Sequence, residues 1–337
     1  MSIHHAPGTR GRVRAWLRPP QPSSMPRVLP QPRPATARSR CSSLALAAAL
    51  AGVAASGNCL AGAWSQADGD TLAILKYLHS EGHGWFDDGH HRTDFGNDGR
   101  SRQDQLNLYV EHGLTGRLSL IGNFYFSQVG FNNDDGTRRR RTSTTGLADQ
   151  ELGLRYALGH AEQDPWRSSV QALVSIPGYG RDKTYHPSNP GSDPALGLGD
   201  YGLELRYSRG RGYALGGHGG YVDLSGALRL RGSAASDEAR LDASTGLSLN
   251  GHWMLLGEFN VIQGLGNGRN NANVISDVGS GSGYVATGTN YDLTKLQLSG
   301  LYSTPAGMQL QLGYQQPLMG RNTGAAGGPF VAAWWRF

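Results

Sequence analysis

The sequence predicts an all-β fold, a transmembrane antiparallel up-and-down β-barrel of about 12 strands behind a cleaved N-terminal signal peptide. Three observations predict it. Segments of about ten residues alternate apolar and polar side chains. The connections between them run long, short, long, short. The chain ends on Trp334, Trp335, Arg336 and Phe337 with no polar tail, although unanchored ends are ordinarily polar and frayed.

The leader comes first. Residues 1–40 are rich in Arg and Pro and carry no acid, and an apolar run from Leu44 to Ala55 leads into "SGNCLAGAW". A basic segment, a run of about a dozen apolar residues and a small-residue exit describe a secretory signal peptide. The run is too short to span a bilayer as a helix, which takes ~20 residues. Cleavage is expected after Ala61, giving a leader of residues 1–61, starting at either Met1 or Met25, and a barrel over 62–337. The leader holds eight arginines and no Asp or Glu, so residues 62–337 carry 23 basic and 26 acidic side chains. The basic charge of the whole chain therefore belongs to the leader, and no nucleic-acid partner is expected. Cys41 and Cys59 both precede the cut, which excludes disulfides and thiol chemistry from the processed chain.

The strands follow in order. "DQLNLYVEHGL" sets Leu106, Leu108 and Val110 against Gln105, Asn107, Tyr109 and Glu111. "QELGLRYAL" sets Leu152, Leu154, Tyr156 and Leu158 against Glu151, Gly153, Arg155 and Ala157. "YGLELRYS" sets Leu203, Leu205 and Tyr207 against Glu204, Arg206 and Ser208, and "VDLSGALRLR" repeats the pattern with Asp223, Ser225, Arg229 and Arg231. Period-two alternation marks strands with one apolar and one polar face. The full reading places strands near 71–80, 103–113, 117–129, 149–159, 168–178, 200–208, 221–231, 239–248, 252–263, 291–302, 307–317 and 329–337.

Alternation alone also fits a soluble sandwich. Loop lengths decide between the two. Long connections are expected at 81–102, 130–148, 179–199, 264–290 and 318–328, and short ones at 114–116, 160–167, 249–251 and 303–306. Two segments break the rhythm: 209–220 is longer than a turn, and 232–238 is shorter than its class. A bacterial outer-membrane barrel alternates in this way, with short periplasmic turns and long outer loops. The location expected is the outer membrane. The final strand of such a barrel closes on the first, and its end lies in the interfacial belt that favours aromatic rings. Tyr77, Tyr109, Tyr156, Tyr207, Tyr302 and Tyr314 are assigned to the same belt.

"GAW" at 62–64, "YVEHGLTGRLSL", "GLADQELGLRYAL" and "LGLGDYGLELRYSRG" resemble the outer-membrane family named for the meta pathway of phenol degradation. They also resemble related barrel proteins found with bacterial adhesive-polysaccharide (biofilm glycan) loci. The likeness runs over most of 62–337 and is strongest in 62–210. The first resemblance implies a channel for small neutral or aromatic molecules; the second implies a component of exopolysaccharide secretion and biofilm formation. Neither supplies a catalytic residue or a cofactor. A C-terminal Phe337 sharing its face with Trp335, Ala333 and Val331 resembles the signal read by the barrel-insertion machinery.

With the apolar stripes facing lipid, the expected lumen wall carries Glu111, Glu151, Glu204, Asp223, Asp242 and Glu258 against Arg155, Arg206, Arg229, Arg231, Arg240 and Lys295. Six of each sign argue against a strong ion filter, which would show rings of one sign. Either the opposed charges line a narrow water-filled channel, or they pair and plug it. A basic cluster on a predicted outer loop, Arg138, Arg139, Arg140 and Arg141, is a candidate contact for lipopolysaccharide phosphates, which guanidinium forks bind well. "EGHGWFDDGHHRTDFGND" offers His83, His90, His91, Asp87, Asp88, Asp94 and Asp98, but in no metal-ligand spacing, and no metal is expected. "YHPSN", with His186, Ser188 and Asn189, echoes the signature of outer-membrane lipid A deacylases. Pro187 and Pro190 break any strand there, so no enzyme is expected.

Overall fold

A computed structural model describes residues 62–337 except 135, 138, 160–163, 185–193, 233–234 and 269–286. The leader, the expected cleavage point on its far side and the "YHPSN" segment lie outside the described residues. Within them, β1 (Thr71–Gly82) is followed by a short hairpin, β2 (Gly84–Phe86) and β3 (Arg92–Asp94). Then come β4 (Arg100–Gly113), β5 (Leu118–Asp134), β6 (Arg139–Leu147), β7 (Asp149–Ala157), β8 (Trp166–Pro177), β9 (Gly202–Leu215) and β10 (His218–Arg231). The last five are β11 (Glu238–Ser248), β12 (Trp253–Gly264), β13 (Thr287–Ser303), β14 (Gln309–Gly324) and β15 (Gly328–Arg336).

β6 and β7 act as one stave. Both pair with β5, β6 along its far half and β7 along its near half. From Phe126↔Leu147 to Asn123↔Glu151 the stave advances four residues while β5 advances three, which is a β-bulge at Ala148. A second irregularity lies on β14, where Thr294↔Met319 gives way to Lys295↔Pro317. Proline cannot donate to the ladder, so a bulge is where it fits.

Counting that stave once and leaving the β2–β3 hairpin aside gives a closed antiparallel barrel of twelve strands. Closure is made by β1 on β15, from Leu72↔Arg336 to Leu78↔Phe330, and continues beyond the strand, where Thr71 and Phe337 exchange both backbone hydrogen bonds. Each of the twelve staves therefore has a neighbour on both sides, as a hydrocarbon environment demands of a spanning wall.

The outer face is apolar. Leu205 and Leu298 are each 58% exposed and Leu312 is 65% exposed. A continuous belt of this kind would aggregate in water and is what lipid tails accept. Trp253 packs on Tyr302 at 4.9 Å near the end that bears the chain's Thr71 and Arg336, and Trp166 there stacks under Arg209 and Arg211. Short turns and both ends of the ladder mark that end as periplasmic.

Several expectations need correction. The connection at 130–148 is not long, because β5 and β6 extend outward and leave only 135–138 between them. Likewise β14 runs on to Gly324, leaving 325–327. The segment 209–220 is not a loop: β9 and β10 continue to a two-residue turn, Gly216 and Gly217, with φ of 57° and 84°. Both values lie in the left-handed region that only glycine enters without strain, which is why two glycines stand there. Tyr109 does not join the aromatic belt. It faces inward and donates to Glu111 Oε2 at 2.8 Å.

Candidate functional site in the barrel lumen

The segment Gly62–Asp70 does not trail into the periplasm. It enters the periplasmic mouth and lies against the inner wall. Gly69 N–H donates to the Gly113 carbonyl and Gly113 N–H to that of Asp70, each at 2.9 Å. Further in, Gln66 N–H donates to Ser119 Oγ at 3.3 Å and Arg155 Nη1 donates to the Trp64 carbonyl at 3.1 Å. Ser169 Oγ donates to the Gly62 carbonyl, and Ala63 N–H donates to Asp223 Oδ2 at 2.9 Å. The indole of Trp64 needs the absence of a side chain at Gly210, where a Cβ would stand 2.5 Å from the ring.

Trp64 completes an apolar layer across the periplasmic half of the lumen. Leu72 and Ile74 of β1, Tyr221 of β10, Leu256 of β12, Leu301 of β13, and Ala332 and Trp334 of β15 form one buried cluster with Trp64 against it. Trp64 meets Tyr221 edge-on at 6.4 Å. Trp334 is 1% exposed, and its indole N–H donates to Gln311 Oε1 at 3.2 Å, so the polar atom of a buried indole is paired.

Above that layer lies the charged lattice. The six acids and six cations expected on the lumen wall sit on the inward faces of their strands. Arg155 donates to Glu111 Oε2 at 2.8 Å. Glu204, 2% exposed, receives Arg206, Arg229 and Arg240 at 2.9, 2.8 and 3.3 Å. Arg229 also reaches Glu151 on β7, and Arg206 reaches Asp242 on β11. These contacts link strands that are not ladder neighbours, so the lattice braces the inner wall from β7 to β11. Lys295 faces Asn260 across the β12–β13 ladder, next to Glu258 and Gln297. A cavity of about 270 Å³ remains in this layer, lined among others by Glu151, Arg155, Glu204, Arg229, Asp242 and Glu258. That is below the ~300–1,000 Å³ typical of pockets for drug-sized ligands.

Further inward charges lie outside the expected set, among them Asp149, one alternation before Glu151 on β7. Glu238 pairs with Arg231 and Arg240. It stands one step before the expected strand at 239–248, and continuing the alternation from Asp242 and Arg240 would have found it. Lys76 donates to Gln297 Oε1 at 2.7 Å and lies 4.0 Å over the Phe330 ring. Here no signal was available, because both faces of β1 are apolar.

Nearer the outer mouth, Val129 and Phe131 on the inner face of β5 pack with Phe95, and Trp85 and Leu196 come against them. Phe95 and Phe131 meet edge-on at 5.2 Å. The β2–β3 hairpin is held to the barrel rim through β14, with Phe86 opposite Thr323. In this hairpin the acidic side chains have protein partners. Asp88 accepts from Asn322 and lies 3.6 Å from Arg321, while His91 N–H donates to Asp87 and holds that carboxyl below the ordinary range. In the β8–β9 connection, burial pushes the Tyr179 phenol up, with Asp149 accepting its proton bond at 2.8 Å.

The basic cluster divides. Arg139 and Arg141 lie on the outward face of β6, opposite Asp134 and Asn132, and Arg139 is 3.5 Å from Asp134. Arg100 and Arg102 of β4 share that outer patch, pairing with Glu81 and Asp104. Arg138 and the Arg140 side chain lie outside the described residues.

No family model matches the chain, and no curated protein does. Among solved structures, the fold is similar to an outer-membrane channel from Pseudomonas putida F1, at 16% identity and a TM-score of 0.56, covering 81% of this chain and 97% of that one. A looser likeness links it to the NanC porin, at 9% identity and a TM-score of 0.40, covering 78% of this chain and 97% of that one. The translocator domain of the autotransporter NalP from Neisseria meningitidis gives 11% identity and a TM-score of 0.37, covering 87% and 94%. Taken with the closed ladder and the lipid-facing belt, the first likeness makes the fold that of a bacterial outer-membrane β-barrel.

Proposed function

We propose that the protein is a narrow outer-membrane channel for small neutral or aromatic molecules, without enzymatic activity. One observation carries this reading: a closed barrel whose inner charges are close to balance in sign, its arginines ion-paired with carboxylates. Paired charges present little net field, so ions of neither sign gain much by entering. The aromatic cluster of Phe95 and Phe131 near the outer mouth offers rings for an apolar solute to meet first.

A role in adhesive-polysaccharide secretion has one supporting feature. Gln105, Asn107, Asn123, Gln297 and Gln311 give part of the inner wall an amide surface that suits hydroxyl-rich solutes. A polymer, however, needs a wide lumen, and the layer around Trp64 narrows it. Small solutes are therefore the better reading. For the outer surface we extend the lipopolysaccharide proposal to Arg100 and Arg102, which flank the same patch as Arg139 and Arg141.

Planar-bilayer recording tests the channel reading. The wild-type protein should give small or intermittent conductance with weak selectivity, and a variant lacking residues 62–68 should conduct more. A wide, steady, strongly selective wild-type pore would overturn it.

A further inference from the structure

Asp223 is a deeply buried carboxylate of the lumen that holds no arginine. Glu111, Glu151, Glu204, Glu238 and Asp242 each hold an arginine. Asp223 is 4% exposed, and its hydrogen-bond partners are Ser225 Oγ and the backbone N–H groups of Ala63 and Gly62. The nearest cation, Arg155, is turned to Glu111, Gln171 and the Trp64 carbonyl. A buried carboxylate without a cation is costly. What faces this one is the amide nitrogen of the residue expected to become the N-terminus.

We propose that processing before Gly62 creates an α-ammonium group that docks on Asp223 inside the barrel and latches Gly62–Asp70 in the lumen. Hydrolysis of the Ala61–Gly62 amide by the signal peptidase consumes one water. It leaves a carboxylate on Ala61 and an amine on Gly62, which takes up a proton. A single amide N–H is thereby replaced by three donors and a full charge, matched to a buried inner acid that holds no arginine of its own. The surroundings are built for a small residue carrying such a group. The Gly62 carbonyl is held by Ser169 Oγ, and a Cβ at Gly62 would stand 2.6 Å from Ser208 Oγ. Ser208 and Ser225, whose hydroxyls are 2.8 Å apart, line the same spot and can accept the remaining ammonium protons. The latch fixes Trp64 one residue beyond Ala63, against the apolar layer, so the same bond that neutralises Asp223 keeps the lumen narrow.

The test is chemical labelling of the protein purified from outer membranes. Mass spectrometry should first find Gly62 as the N-terminus; a different start would overturn the proposal. An amine-reactive succinimidyl ester near neutral pH should then modify that terminus at least ~10-fold more slowly in the folded protein than after heat unfolding, as expected for a group released only by local opening. Lys183, in the β8–β9 connection, serves as the internal control for reagent activity. Equal rates at the terminus in folded and unfolded protein would overturn the latch, and this comparison needs no variant. In Asp223→Asn, where the barrel assembles, the terminus should label at close to the unfolded rate and bilayer conductance should rise. A protected terminus in that variant would also overturn it.

Discussion

Arg229 shows what permits a charge inside this barrel. Its guanidinium spans Glu204 and Glu151, so each member of the trio is neutralised by another. Removing one partner of a buried pair costs ~3–5 kcal/mol because the other is left uncompensated. Arg229→Gln combined with Arg231→Gln should therefore leave Glu151 without a cation, while Glu204 keeps Arg206 and Arg240 and Glu238 keeps Arg240 alone. Such a variant should lower the temperature of the heat-modified gel shift and move the reversal potential in a salt gradient toward cation selectivity. Unchanged selectivity in a conducting wild-type background would mean that these arginines lie off the ion path. Trp334 makes a simpler case. It is almost fully buried in the Trp64 layer and carries no charge, so Trp334→Ala should cost ~3–5 kcal/mol through the cavity it leaves, measured as lowered thermal resistance in detergent.

The strands themselves were legible wherever one face meets lipid and the other meets charge. "VDLSGALRLR" could be oriented from sequence because Leu224, Leu228 and Leu230 have no place in a polar lumen and Asp223, Arg229 and Arg231 have none in lipid. β1 and β15 could not be oriented in this way. Leu72, Ile74 and Trp334 face inward yet are apolar, since they pack with Trp64 instead of facing water, and Phe330 is buried beneath Lys76. The alternation rule presumes a wet lumen, and it loses its signal where the lumen is filled. That filling comes from nine residues without regular structure, "GAWSQADGD", whose fate no periodicity records. The β9–β10 turn was missed for a different reason. Gly210, Gly212, Gly216, Gly217, Gly219 and Gly220 blur the boundary between strand and loop. Only the positive φ values at Gly216 and Gly217 place the turn. Replacing both by alanine should destabilise the hairpin by ~1–2 kcal/mol per residue. The expected outcome is slower refolding into detergent micelles with the same final barrel, whereas an unchanged rate would show that this turn forms after the rest.

At the scale of the whole molecule, the barrel is held by one seam that differs from the others. Every other stave pairs with a neighbour close in sequence, but β1 and β15 join the two ends of the chain and must wait for both. The seam is extended by the exchange between Thr71 and Phe337, while the Phe337 ring, 75% exposed, remains free on the outer face beside Trp335. A ring left uncovered at the end of the closing strand is available to lipid headgroups and to the insertion machinery alike, and it adds little packing inside the barrel. Removing Phe337 should consequently impair assembly more than it impairs the stability of barrels already formed. In cells, the truncated chain should reach the outer membrane at reduced levels. The fraction that does assemble should keep the heat-modifiable migration of the closed ladder, because the β1–β15 pairing from Leu72 to Leu78 is intact. Equal outer-membrane levels for the two chains would tell against recognition through Phe337. Normal levels combined with a lost gel shift would instead assign the residue to closing the seam.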